Sequence, residues 1–207
     1  MRVSVNEVEL TLKRAAAGAG WPWGLAEDIG RAAARAALLG LPQALAEALA
    51  AIEAGFAPPE GRRTAEGWQV AGPTATAAPA ALDLLLAAGG AAPARLAAVD
   101  APALLVGFAS LAAELAGWPV SIMREDGTCA VVGPGTLTPA GALPAKGAAV
   151  TLARGTAEAS ATPPTADGIA TDEALWARAL ALAARSYVPA SAQSRLRGAG
   201  AGLTDND

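Results

Sequence analysis

Histidine is absent from all 207 residues of this chain. Without an imidazole there is no Ser-His-Asp triad, no Cys-His pair and no His-ligated zinc. Cysteine occurs once, at Cys129, which excludes an internal disulfide, a CxxC redox pair and a thiolate metal cluster. No metal site is expected. Lysine is nearly missing as well, and 19 acidic against 15 basic side chains leave a net charge of −4. That balance lacks the clustered Lys and Arg on which nucleic-acid binding depends, so no nucleic-acid partner is expected. Long apolar runs are also wanting. The longest, Ala101 to Ala113, contains Pro102 and Gly107 and is too short to span a bilayer. Asn6, Glu7 and Glu9 interrupt the first ten residues, where a secretory leader would need an apolar stretch. The expectation is a soluble, cytoplasmic protein without a membrane partner.

What the chain has in excess is alanine. Apolar residues make up 53% of it, but 59 of them are alanine, so larger apolar side chains amount to about a quarter. Each ordered residue therefore gains less from burial than is usual, although the length suffices for a genuine core. Abundant Arg, Ala, Gly and Pro fit a GC-rich genome. They also mean that glycine-rich motifs arise here by chance.

The first third reads as about three short helices. Ser4 and Glu7 have the spacing of a capping box. Val5, Val8, Leu12 and Ala15/Ala16 recur at helical spacing behind them. After the turn GAGWPWG, a second helix is expected from about Gly24. Glu27 and Asp28 stand in its first turn in this reading, and Glu27–Arg31 is an i,i+4 ion pair. Gly40-Leu41-Pro42 ends it, and a third helix runs to about Ala54. Residues 55–64 read as a linker or exposed loop, dividing a helical part (1–55) from a mixed part (65–207). In the second part, 68–70 and 95–99 suggest strands, while 79–88 and 103–116 suggest helices. Around Arg124-Glu125-Asp126-Gly127, the segments WPVSIM and TCAVV predict a hairpin. A strand over 148–153, a Thr/Ala/Pro-rich loop over 155–168 and a last helix capped by Thr171 complete an α+β reading.

Glycine-rich stretches at 18–20, 133–135 and 198–202 lack the strand-turn-helix context or the lysine of phosphate cradles. Carboxylates are therefore the groups left for acid–base chemistry, provided burial raises their pKa. Glu7, Glu27 and Asp205 are the catalytic candidates, set against the alternative that acids near helix starts simply stabilise helices. Trp21 and Trp23 bracket Pro22 and can either wall a pocket or clamp helices together. Cys129, among apolar neighbours, reads as an inert buried thiol. In the tail, Ser191, Ser194 and Arg195, with Trp23, are candidate ligand-binding residues for an anion, and the same tail could dock on a neighbouring subunit.

VSVNEVELTLKRAAAGAGWPWGLAEDIGRAA (3–33) and YVPASAQSRLRGAGAGLTDND (187–207) resemble an uncharacterised bacterial family carrying a domain of unknown function. The resemblance implies interest in Glu7, Trp23, Gly24, Glu27, Arg195 and Asp205 without assigning them roles. A fainter similarity, over residues 3–41 and the EAGFAPP stretch at 53–59, is to the malate/L-lactate-type dehydrogenases that lack a Rossmann fold. Their Ser-His element would fall near Leu41 to Leu45, where GLPQAL has neither residue, so kinship would imply a lost or changed activity. No cofactor follows from either likeness. The leading expectation is a homo-oligomeric protein that binds a small metabolite or assists a metabolic enzyme. A carboxylate-dependent enzyme, with or without Mg²⁺, and a structural interaction module are the alternatives.

Overall fold

Ser4 and Glu7 form the capping box their spacing predicts: the Glu7 N–H donates to Ser4 Oγ (3.2 Å) and the Ser4 N–H to Glu7 Oε2 (2.8 Å). In the computed structural model, which describes residues 1–156 and 168–187, this box opens the first helix of an α+β fold. The elements in chain order are β1 (Arg2–Val3), α1 (Val5–Gly18), α2 (Trp23–Leu38), α3 (Gln43–Ala54), β2 (Glu60–Arg63), β3 (Trp68–Ala71), α4 (Thr74–Ala87) and β4 (Ala94–Val99). There follow α5 (Pro102–Ala116), β5 (Val120–Arg124), β6 (Gly127–Gly133), β7 (Thr136–Pro139), β8 (Ala148–Arg154), β9 (Ile169–Ala170) and α6 (Glu173–Ala184).

The sheet has the order β2-β3-β4-β8-β5-β6-β7, and β1 pairs separately with β9. Only β3–β4 is parallel within the larger sheet, and α4 makes that crossover. Val70 pairs with Leu96, Leu96 with Val150, and Leu152 with Ile122, so these buried side chains share one face. Helices α4 and α5 pack on that face, and α2 in turn packs on α5. Cys129 is the extra residue where the β5–β6 register shifts between Ile122 and Met123. Its thiol is buried and donates to the Ile122 carbonyl (3.1 Å), and burial pushes its pKa up.

The helices approach one another where glycine removes the Cβ. A Cβ on Gly107 of α5 would fall inside the contact radius of the Ala32 carbonyl on α2, and one on Gly18 of α1 would strike the Leu182 carbonyl of α6. Gly30 of α2 lies against Glu9 and Lys13 of α1 in the same way. An alanine-rich sequence thus gains close backbone packing in place of large side chains.

Several expectations are corrected. The 55–64 stretch is not wholly a loop, because Glu60–Arg63 is an antiparallel partner of β3. Its EGRR sequence is exposed throughout and so shows no apolar alternation. Residues 136–139, unassigned by periodicity, form the opposite edge strand. Helix α4 starts at Thr74 and carries Pro79 inside it. Its first N–H donates to Asp100 Oδ1 (2.8 Å), while Thr74 Oγ1 accepts from the N–H groups of Asp100 and Ala101 (3.0 and 3.3 Å). A cap supplied by a residue 26 positions away leaves no local signature. Helix α2 starts at Trp23 and has no acid in its first turn, so Glu27 and Asp28 lie one turn further in. The last helix is capped by Asp172, whose carboxylate accepts from the Leu175 N–H (2.9 Å), not by Thr171.

Candidate functional site

Turn 64–67 joins β2 to β3 and sets one wall of a cleft. The Thr64 N–H donates to the Gly67 carbonyl (2.8 Å) and the Trp68 N–H to the Pro93 carbonyl (3.0 Å). Gly67 holds φ +146°, and a Cβ there would collide with the Pro93 carbonyl, so this tight approach requires glycine. Trp68 pairs across the sheet with Arg63 on β2 and Ala94 on β4. The Arg63 guanidinium lies 5.8 Å from the centre of the Trp68 ring, a cation–π distance.

Between this turn and the end of α4 is a cleft of about 400 Å³, lined by Arg63, Glu66, Trp68, Leu84, Ala88 and Ala91 among others. Its volume falls in the range of small-molecule sites. No carboxylate pairs with Arg63 or Arg62 among the described residues; Arg62 instead donates twice to Gln69 Oε1 (3.0 and 2.5 Å). On the other side of the same turn, a hollow of about 220 Å³ is lined by Gln69, Arg95 and Thr151.

The carboxylates singled out from the sequence lie elsewhere. Glu7 is committed to its capping box, and the hydrogen bonds from the Ser4 side chain and backbone hold its pKa below the ordinary value. Glu27 accepts from Lys13 Nζ at 2.6 Å, and that hydrogen bond and charge lower its pKa too. Lys13, not Arg31, is therefore its ion-pair partner. The same Nζ stands 4.8 Å over the ring of Trp23, which is 63% exposed. Structure thus joins Trp23 and Glu27 around Lys13 and gives Glu7 separate partners. Trp21, by contrast, is buried and meets Phe56 edge-on at 5.8 Å. Asp205, Ser191, Ser194 and Arg195 lie outside the described residues.

The acids with raised pKa are not the catalytic candidates of the sequence. Burial raises Asp28 and Asp83, and the negative charge of Asp83 pushes Asp28 further. Glu47 on α3 is raised by burial against the lowering effect of backbone N–H groups at the start of α5. Its Oε2 accepts from the Leu104 N–H (2.8 Å), so it caps α5 from another helix. Among the described residues no group of three or more Cys, Asp or Glu is placed to hold a metal ion. No helix among them is long and apolar enough to cross a membrane.

Comparison with known proteins gives two partial likenesses. A family model described as a protein of unknown function (DUF3726) matches residues 3–66. The N-terminal third resembles a domain family of unknown function. No curated protein matches the chain. Among solved structures, malate dehydrogenase from Entamoeba histolytica is similar with a TM-score of 0.46 and 13% identity, over 72% of this chain and 49% of that one. The chain thus spans about half the length of that dehydrogenase. The matched segment includes Glu7, Trp23, Glu27 and Arg63 and stops before Trp68.

Proposed function

We propose that the protein binds a small zwitterionic metabolite with an apolar body in the cleft beside Trp68. The observation that carries this reading is the pairing, in one 400 Å³ cleft, of a carboxylate-free cation and an anion across an aromatic wall: Arg63, Glu66 and Trp68. Arg63 meets a ligand carboxylate and Glu66 an ammonium. The Trp68 face, Leu84 and the alanines at the end of α4 take the apolar portion. Glu7 and Glu27 do not support the carboxylate-enzyme reading, because Ser4 and Lys13 lower their pKa whereas a general acid or base near neutrality needs a raised one. The acids that are raised, Asp28, Glu47 and Asp83, do not line this cleft.

Calorimetric titration with a panel of apolar amino acids, their amides and their deaminated acids tests the reading. The zwitterions bind, and each singly charged analogue binds at least about tenfold more weakly, which corresponds to about 1.4 kcal/mol per lost charge. Arg63→Ala and Glu66→Ala each reproduce the loss of one charge without changing the melting temperature. Equal affinity for the deaminated acids, or full binding by both variants, overturns it.

A further inference from the structure

The hollow on the far side of turn 64–67 is built on the sheet face opposite α4. Gln69, Arg95 and Thr151 stand in register on β3, β4 and β8. They alternate along those strands with Val70, Leu96, Val150 and Leu152, which face the helices. Neighbouring strands lie about 4.8 Å apart, so the three side chains rise at one level. With the turn and Pro93 they enclose about 220 Å³, less than a drug-sized ligand fills. The uncommitted hydrogen-bonding groups of this row are donors. Arg62 Nε and Nη2 both donate to Gln69 Oε1 (3.0 and 2.5 Å), which orients the amide and leaves its NH2 group outward as a donor. Arg95 commits Nη2 to Glu125 Oε1 at 3.1 Å, while its Nε and Nη1 bond nothing among the described residues. Those two side chains are 48% and 86% exposed, and an exposed ion pair of this kind holds its partners weakly. Glu125 does not line the hollow. Glu66 is the acid that does, and it is exposed at the turn and borders the Trp68 cleft as well.

We propose that this hollow binds a small oxyanion, a phosphate or carboxylate group, on Arg95, Gln69 and Thr151. Arg95 supplies the charge, and a guanidinium bonds an oxyanion more strongly than neutral donors do. The Gln69 NH2 group and the Thr151 hydroxyl each donate to a further oxygen. Three donors on three adjacent strands suit a group whose oxygens spread from one centre, and the small volume excludes a bulky body. Glu125 is the resident competitor for Arg95, so the anion gains its place by adding the amide and hydroxyl bonds that Glu125 does not make. Arg63, which carries the zwitterion reading of the Trp68 cleft, does not line this hollow. The inference therefore stands whether or not that reading does.

Titration of the nitrogen-15-labelled full chain with inorganic phosphate and, separately, with acetate at constant ionic strength provides the test, read by amide NMR. The Gln69 side-chain NH2 and the Thr151 backbone N–H shift saturably, with half-saturation below about 10 mM. The anion that saturates first distinguishes a phosphoryl from a carboxylate ligand. Arg95→Gln weakens binding at least about tenfold, and Thr151→Val, which keeps the shape and loses the hydroxyl, weakens it about three- to tenfold. Glu125→Gln tightens it by removing the competing carboxylate. Arg178→Gln, on an exposed arginine paired with Glu53 elsewhere, leaves it unchanged, which separates a local site from general charge. Shifts that stay linear for both anions overturn the proposal. Saturable binding that Arg95→Gln leaves intact overturns it equally, since the anion then sits elsewhere.

Discussion

The helix-on-helix region and the helix-on-sheet region of this molecule cohere by opposite means. Between α2 and α5 the contact is made by Gly107 against the Ala32 backbone, with fully buried alanines around it. Between α4 or α5 and the sheet, the contact is made by large side chains: Leu85, Leu96, Leu104, Leu105, Ile122 and Leu152, each fully buried. The helices also bury large side chains of their own, Leu12, Ile29, Leu45, Leu49 and Ile52 among them, but at the α2–α5 crossing backbone approach sets the fit, whereas against the sheet side-chain volume does. Composition alone conceals this, since alanine and leucine count alike as apolar while burying very different areas.

The contrast predicts different failures. On the sheet side, truncation is the damaging change. Leu152→Ala leaves a cavity between Ile122 and Ala94, its register partners, and costs about 3 kcal/mol in a denaturant titration. A loss below about 1 kcal/mol would break the comparison. On the helix side, enlargement is the damaging change. Gly107→Ala adds one methyl group, which in an exposed helix would stabilise by about 1 kcal/mol. Here the collision with Ala32 reverses that sign and costs about 2 kcal/mol. A neutral or stabilising result would show that α2 and α5 can separate without penalty.

The smallest effect concerns charge between the layers. Burial, then the nearby Asp83, raises the Asp28 pKa, with Arg31 opposing. The folded state therefore holds that proton more tightly than the unfolded chain does. The ionised form costs stability at neutral pH, and the cost fades as pH falls through the folded pKa. Asp28→Asn accordingly melts slightly higher than wild type at pH 7, and the two curves converge under acid. Parallel melting temperatures across that range would place Asp28 in effectively free solvent.

Local signals are legible where a few adjacent residues complete a physical device. The Ser4–Glu7 capping box, the hairpin around Glu125-Asp126, the buried Cys129 and the helical N-terminal third all match the expectation from sequence. Edge strand β2 gives no such signal, because EGRR buries neither face and leaves no period to detect. The start of α4, expected at 79 and found at Thr74, is hidden because its cap comes from Asp100, brought in from a distant position, whereas α5 begins within one residue of the expected 103. The Trp68 cleft is hidden for the same reason. Arg63 and Glu66 are ordinary charged residues until the pairing of Arg63 with Trp68 and the turn that follows bring both to the cleft beside α4.

By itself the sequence determined which chemistry this chain lacks: with no histidine and one cysteine, imidazole catalysis and thiolate clusters are excluded by residue content. It also determined the helix and hairpin signals that depend on neighbours within about four residues. Tertiary structure alone decided which carboxylates are buried and which are held ionised, where glycine is obligatory, and which sheet face α4 and α5 cover. Those properties depend on the distances between residues far apart in the chain, and no local pattern encodes them.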